Sequence, residues 1–383
     1  MIPVGPAARG ASPLRVLFII YGLERAGPER RLLDFVRSFP PSIEVHVCVI
    51  GSALTMLPEF EAAGARLFVL PIGRAYAEWG KLREVARYVD RERIDVVNSF
   101  NMKTLIVSSA VAVFAKRRVR RVHHLISLWD DVSPTAASVT RALMARCDAI
   151  VCNGHAVHAR LVEGTPLAGK SRVILNGVDM DAFAPEAARR AASRAAIGAN
   201  DGDFVIGAVA NIRPVKNLPM LVRAADALHA RRGDVRLLIV GGGPDLESLR
   251  AQAAASGIGS RATFTGPRED VPTLLAACDV LAMPSWSEGN PNVVVQAMAM
   301  GLPVVASAVG EIPFLLDHGR FGVLIAPGDE GALLRGLDVY ASDPALREAT
   351  GSAARRHAVC TYDLGRMIDG YAGLFRVIAA VGT

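Results

Sequence analysis

The stretch "FVIGAVANIRPVKNLPMLVRAADALHARRGDVRLLIVGGGPDLESLRAQAAAS", residues 204–256, repeats one pattern twice. Residues 204–210 form a short run of Phe, Val, Ile and Ala, apolar on both faces, that ends in a polar loop. Residues 218–230 then carry apolar side chains at helical spacing. A second apolar run, 236–241, ends in Gly241-Gly242-Gly243 and leads into a helical pattern at 246–256. A strand that is apolar on both faces must be covered on both faces, as in a parallel sheet flanked by helices. Regular strand–helix alternation predicts doubly wound α/β units.

The same alternation extends in both directions. Strands are expected at 15–21, 45–50, 66–71, 95–99, 120–125, 149–152 and 172–175, then at 204–210, 236–241, 262–265, 280–283, 303–306 and 322–325. Helices between them include 29–38, 105–116, 218–230, 246–256, 271–277 and 292–300. Asn176-Gly177 is a turn signal, and a polar, Ala-rich connector follows it. The expected organisation is therefore two Rossmann-like domains facing a cleft, residues 1–181 and 182–362. A last helix within 363–383 is expected to return to the first domain. Ligands of such sheets bind outside the carboxyl ends of the strands, so chemistry is sought in the loops that follow strands.

The 383 residues are 51% hydrophobic and 21% charged, enough for large cores. Residues 1–179 hold 24 Lys and Arg against 16 Asp and Glu, a balance of +8; the rest hold 43−24 = 19 against 37−16 = 21, a balance of −2. The basic half fits an anionic partner such as a lipid headgroup or membrane surface, and equally a solvated basic face. Stacking aromatics do not accompany the charge, which argues against nucleic acid. Cys48, Cys147, Cys152, Cys278 and Cys360 are scattered without zinc spacing and read as thiols in a reducing compartment. The Pro/Gly/Ala-rich start lacks a secretory leader pattern, and no apolar run is long enough to cross a membrane. A cytoplasmic protein is expected, able to sit peripherally at the inner face of a membrane.

Four loops carry the candidate chemistry. "GLERAGPERR" (22–31) places Gly27 before Pro28 and Glu29 at a helix start, where peptide amides attract phosphate. It is not GxGxxG, and no acid follows at the spacing a dinucleotide site needs, which argues against an oxidoreductase. "VANIRPVKN" puts Arg213 and Lys216 three apart in a strand–helix connection, a planar fork and a point charge within reach of one anion. Gly242 and Gly243 allow close backbone approach after a strand. "SWSEGNPNVVVQAMAMG" puts one acid, Glu288, in the loop before a helix whose first amides, those of Asn292, Val293 and Val294, are expected to be open to an anion. Gln296 is one turn further along that helix on the face of Asn292. Each loop alone could be no more than a tight turn.

Together they resemble the retaining family 4 glycosyltransferases, which have the GT-B fold. The family signature is a Glu, seven residues and a second Glu; here Glu288 matches the first, and Gln296 stands in place of the second. Gly27-Pro28-Glu29-Arg30, Asn176-Gly177-Val178-Asp179, the Arg213/Lys216 pair, Gly241–Pro244 and Gly266 match further family motifs in order. The resemblance implies a nucleotide-activated sugar held by the second domain and an acceptor held by the first. Arg213 and Lys216 would hold the leaving diphosphate, Glu288 the transferred sugar and Gln296 the ribose. Gly27, Gly242, Gly243, Gly266, Gly289, Asn290, Asn292 and Val293 would complete the donor site. His124 on "RVHHLISLWDD" would act beside the sugar, with His123 and Asn101 on the acceptor side. Basic side chains and helix amides would take the diphosphate charge, so no metal or other cofactor is implied. A nucleotide-sugar 2-epimerase would need an array of carboxylates that the sequence does not display. A catalytically degenerate sugar-binding relative is the other alternative, and Gln296 is its argument.

Overall fold

The computed structural model describes residues 12–73, 78–126 and 133–381. Among the described residues thirteen strands form two sheets, and every strand pairing within them is parallel. The first sheet contains β1 (Leu14–Ile20), β2 (Ile43–Val49), β3 (Arg66–Val69), β4 (Val96–Ser99), β5 (Arg120–Leu125), β6 (Ala149–Cys152) and β7 (Ser171–Val173). Their spatial order is β3-β2-β1-β4-β5-β6-β7. The second contains β8 (Phe204–Val209), β9 (Val235–Val240), β10 (Ala262–Phe264), β11 (Val280–Met283), β12 (Val304–Ser307) and β13 (Gly322–Ile325), in the order β10-β9-β8-β11-β12-β13. Both sheets reverse their order of growth once, between β1 and β4 and between β8 and β11, which is the doubly wound arrangement.

Strand β8 presents two apolar faces. Phe204, Ile206 and Ala208 of β8 enter one apolar core, and Val205 and Val209 pack into the other. Side chains alternate across a strand, so a strand with Val and Ile at successive positions is stable only when both sides are covered. Burying each such side chain contributes about 1.5–3 kcal/mol before entropy is counted. All strands expected from sequence are present, with ends displaced by a residue or two.

The chain divides into two compact units. The first comprises the chain up to Asn153, His158–Ile174 and the chain from Met367 on; the second comprises Gly154–Val157 and Leu175–Arg366. The division at Leu175 corrects the boundary read at Ala182. Val178, Met180 and Phe183 belong to a core of the second unit, and Val178 bridges to Asp363. The connector is also more than a polar linker. Ala187–Ala196 is a helix, and its Arg194 is 4% exposed.

The last helix, Leu364–Ala380, packs within the first unit through Tyr371 and Phe375. The Tyr371 ring meets Phe35 edge-on at 4.7 Å, and Phe375 meets Phe18 edge-on at 6.0 Å. Residues 1–11, on which the reading of the amino-terminal segment falls, and 127–131 of the His-containing motif lie outside the described residues. Among the described residues no helix is long and apolar enough to cross a membrane.

Candidate functional site

The loops after β8, β9, β10, β11 and β12 meet at the carboxyl edge of the second sheet. Backbone hydrogen bonds join them: Ile212 N donates to Gly242 O (2.8 Å), Gly241 N to Gly266 O (2.9 Å), Trp286 N to Val215 O (2.8 Å) and Glu311 N to Gly289 O (2.9 Å). Two glycines permit the close fit. A Cβ at Gly243 (φ +155°) would run into Ile212 O, and one at Gly310 (φ +56°) into Glu288 O. The glycine run after β9 is thus first a packing device, and it holds the Arg213 loop in place.

Glu288 lies at the centre of these loops with its side chain 7% exposed. Lys216 Nζ donates to both of its oxygens, at 2.7 and 2.8 Å, and Ser285 Oγ donates to Oε1 at 2.6 Å. Lys216 ends a 3-10 turn, Pro214–Lys216, and the next residue, Asn217, adopts the left-handed conformation (φ 49°) that Asn tolerates better than most residues. That turn sends the ammonium back toward the β11 loop. Arg213 precedes the same turn and is exposed. Lys216 and Glu288, assigned to different parts of a ligand from the sequence, are therefore partners of one another. An ammonium has three donors, and two are used here. Each carboxylate oxygen retains acceptor capacity for a hydroxyl.

The helix after this loop is Asn292–Ala299, with Pro291 at its cap. Val294, Val295, Ala297, Met298 and Ala299 are buried, which leaves Asn292, Val293 and Gln296 on the face toward the loops. Asn292 Oδ1 accepts from Asn176 Nδ2 at 3.0 Å, tying the Asn176-Gly177 turn to the helix start. One expectation is corrected: Val294 N already donates to Pro291 O (3.1 Å), so its amide is not open to an anion. Gln296 is half-buried and has no side-chain hydrogen bond among the described residues. Gly289 and Asn290 sit in the same loop, and nothing stands within 4 Å of a Cβ built on Gly266.

The remaining expected residues belong to the first unit. Gly27 begins the helix Gly27–Ser38, with Pro28 and Glu29 in its first turn as read. Asn101 caps the helix Met102–Phe114: its Oδ1 accepts from Thr104 N (3.1 Å), and Thr104 Oγ1 accepts from Asn101 N (3.0 Å). That reciprocal cap explains the residue without an acceptor ligand. His123 and His124 both lie within β5, the strand expected at 120–125, at 2% and 3% exposure. Ser99 Oγ pairs with His123 Nδ1 at 2.9 Å; Asn98 Nδ2 donates to His124 Nε2 at 3.1 Å, and Tyr371 stacks on the His124 ring at 4.9 Å. Burial lowers each pKa to about 3, with the neighbouring His123 adding to the effect on His124. They are neutral groups buried in the first unit.

Sequence reading missed Glu311. Its backbone holds Gly289, next to Glu288, and its carboxylate accepts from His155 N and Ala156 N, both at 2.7 Å. Burial raises its pKa, opposed by those two amides. The signal was an acid directly after Val309-Gly310 at a strand–helix turn. Among the described residues no group of three or more His, Cys, Asp or Glu is placed to hold a metal ion.

Residues 25–182 match the family profile described as Glycosyltransferase Family 4, and residues 203–343 match the one described as Glycosyl transferases group 1. A D-inositol 3-phosphate glycosyltransferase of Streptomyces avermitilis is 36% identical over 203 residues, covering 50% of this chain and 44% of that protein. A GDP-mannose-dependent alpha-(1-6)-phosphatidylinositol monomannoside mannosyltransferase of Mycolicibacterium smegmatis is 31% identical over 254 residues, 64% of this chain and 66% of that one. The match thus spans less than half of the first relative's length and about two thirds of the second's. In fold, the chain resembles Anabaena HepE in complex with UDP, with a TM-score of 0.85 at 23% identity over 95% of this chain and 100% of that one. It also resembles a glycosyltransferase of Rickettsia africae, with a TM-score of 0.86 at 16% identity over 97% and 100%.

Proposed function

The chain belongs to the family 4 glycosyltransferases, and from that premise we propose that it moves a hexose from a UDP- or GDP-linked sugar to a carbohydrate or lipid-linked acceptor, with retention at the anomeric carbon. The observation that carries this reading is the Glu288–Lys216–Ser285 cluster at the carboxyl edge of the second sheet, beside exposed Arg213 and the start of the helix Asn292–Ala299. A diphosphate there meets the guanidinium of Arg213 and the unused donor of Lys216. The helix start adds the favourable end of its dipole. Charge on a departing diphosphate is stabilised where donors are already oriented and no reorganisation is needed. Glu288, fixed by its two partners, is positioned to accept from a sugar hydroxyl. Gln296 offers an amide to the ribose in place of the family's second carboxylate.

The Arg213 and Lys216 charges serve where a divalent ion would otherwise, so transfer is expected to continue at full rate in excess EDTA. The basic balance of the first half supports work against anionic acceptors near a membrane and synthesis of cell-surface polysaccharide or glycolipid. The test is nucleoside diphosphate release from a panel of UDP-, GDP- and ADP-sugars across carbohydrate and lipid acceptors, with product anomers read by NMR. Turnover with retained configuration is expected. Tight donor binding with no turnover on any acceptor would leave the chain a sugar-nucleotide binder, and an inverted product would remove retention.

A further inference from the structure

The first unit contains a cavity of 640 Å³ at the carboxyl edge of its sheet, lined by residues that follow β1, β2 and β3 and by Lys103 in the helix after β4. It therefore lies by the place where the strand order reverses, between β1 and β4, where open α/β sheets bind ligands. Gly51 allows the β2 end to close against the β1 end, since a Cβ there would run into Tyr21 O.

The charges in this cavity are unequal. Lys81 is already matched: Nζ pairs with Glu78 Oε2 at 2.6 Å and donates to Pro71 O at 2.6 Å, while Glu78 Oε1 accepts from Gly73 N at 2.6 Å. Lys103 is exposed, with its ammonium 4.1 Å from the centre of the Tyr21 ring, and it has no carboxylate partner among the described residues. A ring face orients an ammonium but does not neutralise it. The Ser52 hydroxyl lines the same cavity and is a further donor. Among the described residues the cavity is lined by lysines and by no arginine, and the point charge of Lys103 suits a tetrahedral oxyanion.

We propose that this cavity binds a phosphate group carried by the acceptor, with Lys103 as its principal contact. This rests on the glycosyltransferase reading above and narrows its acceptor class. A soluble sugar phosphate and a lipid headgroup both supply such a phosphate, and the chemistry at Lys103 is the same.

The experiment is calorimetric titration of the full chain, saturated with UDP or GDP so that Arg213 and Lys216 are occupied. The probes are inorganic phosphate, glycerol 3-phosphate, and phosphatidylcholine vesicles with or without phosphatidic acid. Lys103→Gln is expected to weaken phosphate-dependent binding at least fivefold and to leave nucleotide affinity unchanged. Loss seen with glycerol 3-phosphate assigns a soluble source; loss seen only with phosphatidic acid vesicles assigns a headgroup. Tyr21→Phe keeps the ring under Lys103 and is expected to bind within twofold of the parent. Phosphate binding that is absent, or unchanged in Lys103→Gln, overturns the proposal. If the nucleotide also fails to bind, the donor reading has failed; if it binds normally, this inference alone has.

Discussion

The two ends of the second sheet both bury acids against basic partners, and they use them differently. At the amino end, Asp279 accepts from Arg190 (2.6 Å), Arg194 (3.1 Å) and Val205 N (2.8 Å), and Asp203 accepts from Arg236 (2.6 Å), Arg261 (2.8 Å) and Asn200 N (2.8 Å). Burial alone would raise the Asp203 pKa, but the Asn200 amide and the two arginines bring it to about 2. At the carboxyl end, Glu288 has one ammonium and one hydroxyl, on loops that follow strands. The difference is saturation. An acid ringed by guanidinia and amides has no capacity left for a ligand, whereas one held by a lysine and a serine is positioned and still able to accept.

Breaking the saturated end is expected to have the largest effect. Arg194 donates to Asp279, Ala277 O, Asn200 O and Asp203 O from a buried position. Arg194→Ala takes one of two guanidinium partners from the buried Asp279 and the donor from three backbone carbonyls, and should cost about 3–5 kcal/mol in urea denaturation. Donor affinity of the folded fraction should not change; a variant as stable as the parent would show that the network is not structural. Glu288→Gln should leave the midpoint of unfolding within a few degrees and lower turnover about 100-fold or more, the scale of losing one oriented charge from a reaction site. Near-normal turnover in this variant would remove Glu288 from the chemistry.

A smaller effect tests the buried histidines of the first sheet. His123 and His124 have folded pKa values of about 3, against 6.5 for a free imidazole. The unfolded chain binds protons first as pH falls, so their contribution is intact above pH 6.5 and is lost progressively from 6.5 down toward 3. Unfolding free energy measured by urea between pH 7 and 4 should fall, and His124→Gln should flatten part of that slope without altering the pH profile of turnover. A turnover profile that shifts with His124→Gln would place the residue in the reaction. The smallest change is expected for Gln296→Glu. It restores the charge of the family signature on a half-buried face with no side-chain hydrogen bond among the described residues, and donor Kd should move less than about threefold. Loss of donor binding would mean that the neutral amide serves another contact.

Much of this was legible from residue types alone. Runs of Val, Ile and Leu long enough for one strand, apolar on both faces and separated by helical spacing, admit few arrangements other than covered parallel sheets, so both sheets were placed strand by strand. The Glu288 loop and the Arg213–Lys216 turn were found because glycine, proline and isolated charge after an apolar run survive in a compact protein mainly where a loop follows a strand. The strand that carries His124 was read with its ends in place, 120–125, but the enclosure of its imidazole by Asn98, Phe100 and Tyr371 depends on segments far apart in the chain. The domain boundary and the Ala187–Ala196 helix were hidden because Arg and Ala look polar and featureless until their partners, Asp279 and Asp203, arrive from distant parts of the chain.

Sequence alone thus determined the elements, their order and the residue types available at each strand end, since these follow from local periodicity and backbone preference. Tertiary structure decided which charges meet. That Lys216 closes on Glu288, that Glu311 reaches His155 and Ala156, and that His124 stays neutral under Tyr371 depend on residues 72, 156 and 247 positions apart. The free energy of such contacts is set by burial and by the number of partners that arrive, and neither is a property of any one segment.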